Sequence, residues 1–202
     1  MNELEKMLRG DVPASPDEAR AAAERFAARA ADEGLADVAY ALVDSPVGTL
    51  LAAQTKRGLV ELAYGGEDPD PLLLDLSGKL SPRVLEAPAK LDDVRRQLDE
   101  YFEGRRVSFD LPIDWSLSRG FTQRILQATA KVPFGQLATY RDVATKAGNE
   151  RAVRAAGNAL GSNHIPIVVP CHRIIRTGGA LGGYTGGLAR KEFLLKLEGV
   201  IL

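Results

Sequence analysis

The stretch TYRDVATKAGNERAVRAAGNALG (residues 139–161) predicts two short helices joined by a tight turn. Thr139 suits the N-cap of a helix over residues 140–147, because a threonine hydroxyl can accept a backbone N–H at a helix start. Gly148 ends that helix, and residues 150–161 have the composition of a second one. Two short helices around a glycine-containing turn are typical of a helix-turn-helix, which we therefore expect in the second half of the chain.

The segment that follows, NHIPIVVPCHRIIR (residues 163–176), contains the single cysteine and both histidines of the chain. Residues 167–169 predict a short buried strand or extended run, and Pro170 disfavours a helical conformation before it. Cys171 is thus expected at a rigid exit from the core. Neighbouring side chains in an extended segment point apart, so we expect His172 to reach the Cys171 sulfur through a water molecule.

This cysteine has the neighbours that thiol chemistry requires. A thiolate is the nucleophilic form of cysteine, and cationic groups such as His172 and Arg173 lower the pKa of a nearby thiol. A histidine that acts as a base needs a carboxylate to hold its tautomer. Glu192 and Glu198 are the candidates near the end of the chain. Taken alone, a lone cysteine is more often a small buried apolar residue.

The remaining patterns complete an α+β fold. Apolar runs bounded by turn residues predict an antiparallel meander of strands over 38–44, 48–54 and 58–64. The other predicted elements are helices over 15–33, 90–103, 119–132 and 189–198, a loop with a short helix over 67–82, and a strand over 107–111. We expect an N-terminal helical extension without an assigned role (1–37), a small α+β domain with an antiparallel sheet (38–115), and a mostly helical domain (116–202).

The charges divide between the halves of the chain. Residues 1–115 carry 14 Lys and Arg against 23 Asp and Glu, a net charge of −9. Residues 116–202 carry 12 basic and 4 acidic residues, a net charge of +8. A basic half joined to an acidic one indicates that the basic half meets an anionic partner, although segregated surface charge alone would give the same pattern.

Composition narrows the class of protein. The 202 residues are 45% hydrophobic, enough for an ordinary core. No apolar run approaches the roughly 18 residues of a membrane span, and the N-terminus has no apolar signal region, so we expect a cytoplasmic protein without a membrane partner. One cysteine and two histidines offer neither a disulfide nor the usual zinc ligands, so no metal is expected.

The pattern Ile-Pro-Ile-Val-Val-Pro-Cys-His-Arg-Ile-Ile (residues 165–175) resembles the active-site signature of the O6-alkylguanine-DNA alkyltransferases, also called methylated-DNA–protein-cysteine methyltransferases. The resemblance runs from about residue 38 to 200 and is strongest from Phe121 to Gly199. It implies single-use transfer of an alkyl group from guanine O6 in double-stranded DNA to the cysteine, without a cofactor. Alkylation at O4 of thymine is a further candidate substrate.

The resemblance also implies roles at the acceptor. Cys171 matches the acceptor itself, and His172 matches the base that acts on it through water. Glu198, rather than Glu192, matches the carboxylate that completes this relay. Asn163 matches the asparagine that braces the active-site turn, and Lys191 matches a lysine near the site.

Other matched positions concern DNA. Tyr140 matches a tyrosine that helps to extrude the damaged nucleotide, and Arg154 matches an arginine that fills the gap left in the duplex. Small residues such as Ala155 and Gly157 would let their helix approach the minor groove closely. Arg173 is expected to be a further DNA contact.

Residues 182–187 (GGYTGG) resemble the loop that encloses the lesion, with Tyr184, Thr185 and Gly186 as its expected contacts. The same glycines would also suit a simple mobile linker. Either Tyr140 or Lys191 is expected to protonate the leaving guanine. Some relatives carry a structural zinc in the first half, but residues 1–115 contain no cysteine, so that site is expected to be absent.

Three other functions compete with alkyl transfer. A protein that binds and flags alkylated DNA for another pathway would share the helix-turn-helix, but such relatives have replaced the acceptor cysteine. A Cys-His hydrolase acting on a small acyl substrate would leave Arg154 and the basic half without a role. A transcription factor would need long polar side chains to distinguish bases, which the Ala- and Gly-rich helix over 150–161 lacks.

Overall fold

The computed structural model describes residues 15, 17–19, 21–22, 25, 29–30, 33–65 and 67–200. Residues 17–19, 21–22, 25 and 29–30 are helical, as predicted for them. The rest of the helix predicted over 15–33 lies outside the described residues.

The N-terminal sheet has the order β3-β2-β1-β4. Its strands are β1 (Val38–Val43), β2 (Leu50–Thr55), β3 (Gly58–Tyr64) and β4 (Val84–Glu86). Strands β1, β2 and β3 pair antiparallel, which confirms the predicted meander. Strand β4 pairs parallel with β1 and was not predicted, because three residues are too few to show an alternating pattern. The strand predicted over 107–111 is wrong: this segment is irregular, and a single bridge joins Leu59 to Ile113 beyond it.

Helices cover the opposite faces of this sheet. Helix α1 (Asp70–Lys79) places Leu76 in a cluster of buried side chains on one face. Helix α2 (Asp92–Phe102) buries Val94, Leu98 and Tyr101 against the other face. The predicted loop over 67–82 therefore contains a ten-residue helix.

The second half consists mostly of helices, as predicted. They are α3 (Gly120–Thr129), α4 (Tyr140–Lys146), α5 (Val153–Gly161) and α6 (Leu188–Leu197). Helix α4 begins with a capping box in which Thr139 and Asp142 each bind the backbone of the other. A short parallel pair, β5 (Ala138–Thr139) and β6 (Ile174–Ile175), joins the start of α4 to the segment that follows Cys171. The α+β fold with a helix-turn-helix is thus confirmed.

A cluster of buried apolar side chains runs through both halves of the chain. Backbone contacts also cross between them: the Leu62 N–H donates to the His164 carbonyl at 2.8 Å. Glu61, buried on β3, lies 3.0 Å from Nδ1 of the same histidine. The sheet is therefore fastened directly to the segment that leads to Cys171. Across the part of the chain that the structure describes, none of the helices combines the length and the hydropathy needed to span a lipid bilayer.

Candidate active site

The backbone that leads to Cys171 forms tight turns and not a strand. Ile167 has a φ of 73°, and the Val168 N–H donates to the Pro166 carbonyl at 2.9 Å, which closes a strained γ-turn. Positive φ is unusual for a β-branched residue. The strand or extended run predicted for residues 167–169 is therefore wrong, although these residues are buried as expected.

A further turn follows at Pro170, with φ −80° and ψ 65°. The Cys171 N–H donates to the Val169 carbonyl at 2.8 Å, so the turn is an inverse γ-turn centred on the proline. Cys171 then opens a 3₁₀-helix, Cys171–Arg173. His172 consequently follows the cysteine on a helical turn, which corrects the expectation of an extended segment at this point.

Asn163 holds these turns together. Its Nδ2 donates to the Val169 carbonyl at 2.8 Å, and its Oδ1 accepts from the Ile165 N–H at 3.1 Å. Buried backbone groups that lack a strand partner are thereby satisfied. The same Nδ2 lies 3.1 Å from the Cys171 sulfur, as a donor to it. Asn163 thus fixes the turn and contacts the thiol.

The Cys171 thiol is almost buried, with 6% of the residue exposed. Burial raises its pKa to about 11, against the opposing effects of the Asn163 hydrogen bond and the Lys191 charge. The prediction that cationic neighbours keep this pKa low is therefore wrong. The group is a thiol at neutral pH, and a base must remove its proton before it can act as a nucleophile.

The Asn163 contact predicts a measurable change in thiol reactivity. We expect Asn163→Ala to slow alkylation of Cys171 by iodoacetamide about tenfold at mildly alkaline pH, because losing this donor raises the thiol pKa by about one unit. Cys171 is the only cysteine of the chain, so total thiol modification reports on it alone. Asn158→Ala, an exposed cavity residue, is the control and should react as wild type does. Equal rates in the Asn163 variant and wild type would contradict this account.

His172 is the next residue after the cysteine and is fully buried. Its Nε2 is 2.8 Å from Oε1 of Glu198. Burial lowers the pKa of His172, and the Glu198 carboxylate only partly offsets that effect, so the imidazole is neutral at neutral pH. The carboxylate accepts the Nε2 proton, which leaves a lone pair on Nδ1. That nitrogen is buried and has no hydrogen-bond partner among the described residues, so it is free to accept a proton.

Glu198 is the centre of a buried hydrogen-bond network. Tyr101 donates its hydroxyl to Oε1 at 2.7 Å, and the Gly135 N–H donates to Oε2 at 3.3 Å. Arg173 donates to both carboxylate oxygens, through Nε at 2.8 Å and Nη2 at 2.9 Å. Burial alone would raise the pKa of Glu198, but the hydrogen bonds from His172 and Arg173 outweigh it and hold the pKa at about 2. Glu198 is therefore a carboxylate at neutral pH.

Arg173 belongs to this network and not to the surface. Besides binding Glu198, it donates through Nη1 to the Val132 carbonyl at 2.5 Å, and its guanidinium lies 5.8 Å from the centre of the Phe134 ring. The residue is 6% exposed. A guanidinium buried on these partners cannot reach a phosphate, which corrects the prediction that Arg173 contacts DNA. Glu192, the other carboxylate candidate, is exposed on α6.

A cavity of about 770 Å³ opens above Cys171 between α4, α5 and the loop before α6. Of the predicted site residues it brings together Tyr140, Arg154, Gly157, Cys171, Tyr184 and Thr185. Arg154 is exposed near the start of α5, and Ala155 is exposed beside it. Gly186, in the same loop, is buried and does not line the cavity. Arg176, which no sequence motif indicated, also lines the cavity.

Tyr140 is half-buried between α5 and the loop. A Cβ added to Gly157 would lie 3.9 Å from its ring, an ordinary contact, but one added to Gly182 would lie 2.7 Å from its hydroxyl oxygen. Gly182 also has a φ of +70°. Glycine is therefore required at position 182, both for the backbone conformation and for the approach of Tyr140.

Lys191 is fully buried below the loop. Its Nζ donates to the Ile174 carbonyl at 2.6 Å and to the Leu181 carbonyl at 2.5 Å. Burial lowers the pKa of Lys191 to about 8, although the nearby Cys171 works against that shift. This side chain ties α6 to both ends of the segment that follows the cysteine, so Tyr140 is better placed than Lys191 to donate a proton in the cavity.

The comparisons with known proteins agree with this geometry. Residues 38–115 match a family model described as "6-O-methylguanine DNA methyltransferase, ribonuclease-like domain". Residues 120–200 match its partner, "6-O-methylguanine DNA methyltransferase, DNA binding domain". The chain belongs to the 6-O-methylguanine DNA methyltransferase family.

Relatives in this family cover most of the chain. The Methylated-DNA–protein-cysteine methyltransferase of Methanosarcina barkeri is 37% identical over 79% of this chain and 96% of its own length. The constitutive enzyme of that name from Bacillus subtilis is 34% identical over 79% of this chain and 94% of its own. A crystal structure of O6-methylguanine methyltransferase from Mycobacterium tuberculosis is 36% identical and has a TM-score of 0.68, covering 80% of this chain and 92% of that one.

Sequence reasoning missed two tyrosines that contact this methyltransferase site. Tyr101 was assigned only to the helix predicted over 90–103, yet its hydroxyl binds Glu198. Tyr64 was assigned only to a strand, yet its hydroxyl lies 2.7 Å from that of Tyr184. Both pairings join residues about a hundred positions apart or more, so no local pattern could have revealed them.

Proposed function

We propose that this member of the family repairs double-stranded DNA by moving an alkyl group from O6 of guanine to Sγ of Cys171. The observation that supports this most strongly is a single thiol at the floor of an open cavity, backed by a neutral histidine whose other nitrogen is held by a carboxylate. Such an arrangement activates a thiol at the moment of reaction, although its resting pKa is high.

The Glu198 hydrogen bond to Nε2 of His172, which leaves Nδ1 without a partner among the described residues, supports a proton path from the thiol. Nδ1 of His172 takes the thiol proton through a bridging water, while Glu198 holds the opposite nitrogen and stabilises the imidazolium that forms. The thiolate attacks the alkyl carbon in line with the C–O6 bond. As the S–C bond forms, the C–O6 bond breaks and its electron pair stays on guanine.

The guanine takes a proton from the Tyr140 hydroxyl. Burial raises the pKa of that hydroxyl, which keeps it protonated at neutral pH. Exchange with solvent then returns a proton to Tyr140 and removes one from His172. The net change is transfer of one alkyl group to sulfur and one proton to guanine, and no cofactor takes part. None of the described groups at the site breaks the S–C bond of the thioether product again, so each protein molecule transfers one alkyl group only.

Access to the cavity requires an extruded base, because O6 of a stacked guanine cannot reach a buried sulfur. Tyr140 and Arg154 stand at the starts of α4 and α5, and both line the cavity. We infer that Arg154 fills the gap in the duplex and that Tyr140 helps to turn the nucleotide out. The small residues Ala155 and Gly157 support an approach through the minor groove.

Several surrounding residues suit phosphate contacts. Exposed basic residues on and between α4 and α5 and after β6 are Arg141, Lys146, Arg151 and Arg176. Their charge supplies affinity without sequence preference, which fits a lesion that can occur anywhere in DNA. Neither a small-molecule hydrolase nor a sequence-specific transcription factor would use these groups together with a buried acceptor thiol. Activity on O4 of thymine, a cytoplasmic location, and the division into 1–37, 38–115 and 116–202 stay predictions.

A comparison of duplex and free-base substrates tests base extrusion. We expect Arg154→Ala to slow alkyl transfer from O6-benzylguanine in a duplex at least about tenfold, equivalent to about 1.4 kcal/mol. Transfer from free O6-benzylguanine should be unchanged, because a free base needs no extrusion. Rapid quenching followed by mass measurement of the protein gives both rates.

Arg151→Ala, an exposed arginine just before the same helix, is the matched control. It should weaken DNA binding in a salt-dependent manner and leave the saturated rate unchanged. An equal loss on both substrates in Arg154→Ala would show that Arg154 shapes the cavity instead of extruding the base.

A further inference from the structure

Tyr64 connects the N-terminal sheet to the loop over residues 182–187, which covers the cavity. It is the last residue of β3, and its hydroxyl oxygen lies 2.7 Å from that of Tyr184. The two rings meet edge to face, with their centres 6.2 Å apart. A residue 120 positions away in sequence therefore touches the loop that covers the acceptor.

Arg190 holds Tyr64 in this position. Its guanidinium lies 4.7 Å above the centre of the Tyr64 ring, a cation–π contact. The same side chain donates through Nε to the Val47 carbonyl at 2.7 Å and through Nη1 to the Gly186 carbonyl at 3.1 Å. One arginine thus joins the β1–β2 turn, the end of β3 and the loop.

Gly186 is enclosed between the two tyrosine rings. A Cβ at this position would lie 2.5 Å from the Tyr64 ring and 2.8 Å from the Tyr184 ring. Contacts this close leave no room for a side chain, so the rings and the loop backbone are packed as one unit. Tyr184 is therefore held by two contacts with Tyr64, this packing through Gly186 and the hydrogen bond between the hydroxyls.

Tyr184 faces the reacting groups on its other side. It lines the cavity together with Cys171, and its ring stands edge to face with that of His172 at 6.4 Å. Burial raises the pKa of both Tyr64 and Tyr184, that of Tyr64 to about 12, so both hydroxyls stay neutral and can share a hydrogen bond. The position of Tyr184 therefore sets how much space an alkyl group has beside the sulfur.

We propose that Tyr64 is a positioning residue for the alkyl transfer: by fixing Tyr184, it limits the size of the alkyl group that can reach Cys171. This inference rests on the proposed function. The bonds that form and break are those already described, and Tyr64 acts only on the fit of the migrating group. Through Tyr64, the N-terminal sheet would thus help to determine which alkyl groups are accepted, in addition to supporting the fold.

The test compares two lesions in identical duplexes, O6-methylguanine and O6-benzylguanine, at saturating DNA and in a single turnover. Tyr64→Phe keeps the ring and removes the hydroxyl, and Arg190→Met removes the contacts that hold the ring. We expect each to raise the ratio of benzyl to methyl transfer rates about fivefold, because Tyr184 gains freedom to retract. Tyr40→Phe, on the β1 face covered by α1, is the matched control and should keep the wild-type ratio.

The ratio separates positioning from general damage. A loosened fold would slow both transfers by the same factor, and that outcome would overturn the inference. So would a wild-type ratio in Tyr64→Phe with both transfers intact. A wild-type protein that takes up neither group would overturn the proposed function itself, whereas equal ratios among active proteins overturn only the role of Tyr64.

Discussion

Cys171→Ser is expected to bind alkylated duplex DNA as the wild type does and to take up no alkyl group. A serine hydroxyl has a far higher pKa than a thiol and is a much poorer nucleophile toward an alkyl carbon, so the neutral His172 cannot activate it. The residue contributes little to the surface because 6% of it is exposed, so DNA affinity should not change. Fluorescence anisotropy with a labelled duplex measures binding, and mass spectrometry of the intact protein measures uptake.

Serine is the stricter choice because it matches cysteine closely in size and can still accept the Asn163 hydrogen bond. Its unfolding temperature should therefore stay close to that of the wild type, which separates loss of chemistry from loss of structure. Alkyl uptake by the Cys171→Ser protein at a residue other than 171 would show that the acceptor lies elsewhere.

Glu198→Gln is expected to have the largest combined effect on stability and activity. Removing the carboxylate leaves the buried guanidinium of Arg173 without its counter-charge, which costs about 3–5 kcal/mol. It also releases the constraint on the His172 tautomer, so alkyl transfer should slow by about two to four orders of magnitude. Urea unfolding gives the first quantity, and single-turnover transfer from methylated duplex DNA gives the second.

Glu192→Gln on α6 is the matched control, since this glutamate is exposed. Its free energy of unfolding should stay within about 0.5 kcal/mol of wild type, with an unchanged transfer rate. If the Glu198→Gln protein were as stable and transferred alkyl groups as fast as Glu192→Gln, the Glu198 carboxylate would not be needed for stability or for transfer.

Protonation of Glu198 at low pH should reproduce the loss of stability caused by Glu198→Gln. The pKa of Glu198 in the folded protein is about 2, below its usual 4.5. A depressed carboxyl pKa contributes stability above the unfolded value and loses it as pH falls through the folded one. The stability gap between wild type and Glu198→Gln should therefore be complete above pH 4.5 and shrink between pH 4.5 and about 2.

The elements with a strong local pattern were predictable from the sequence. Apolar runs bounded by turn residues predicted β1 to β3, and Thr139 with Gly148 bounded α4. Strand β4 was not predictable in this way, because its pairing with β1 depends on tertiary contacts. Segment 107–111 had strand-like composition, but its backbone is held instead by a side chain: Gln97 accepts the Asp110 N–H at 2.8 Å.

In the active site too, features with a local sequence pattern could be predicted, whereas features that depend on tertiary contacts could not. Asn163, Cys171 and His172 lie in one segment, and its resemblance to the family's signature allowed their association to be predicted. The turn that holds these residues could not be predicted, because a buried apolar run between prolines has the composition of a strand. In the structure, the Asn163 side chain binds the backbone groups that a neighbouring strand would otherwise bind. Arg173 was misassigned to DNA since its charge suggests a surface role, and only the fold places a buried carboxylate beside it.

The most direct test of alkyl transfer to Cys171 is intact-protein mass spectrometry after incubation with excess duplex DNA carrying one O6-methylguanine. We expect each protein molecule to gain the mass of one methyl group in place of one hydrogen, mapped to the Cys171 peptide. Repaired DNA should never exceed one equivalent per protein. Repair of many equivalents by one protein, or repair that leaves the mass of Cys171 unchanged, would contradict it.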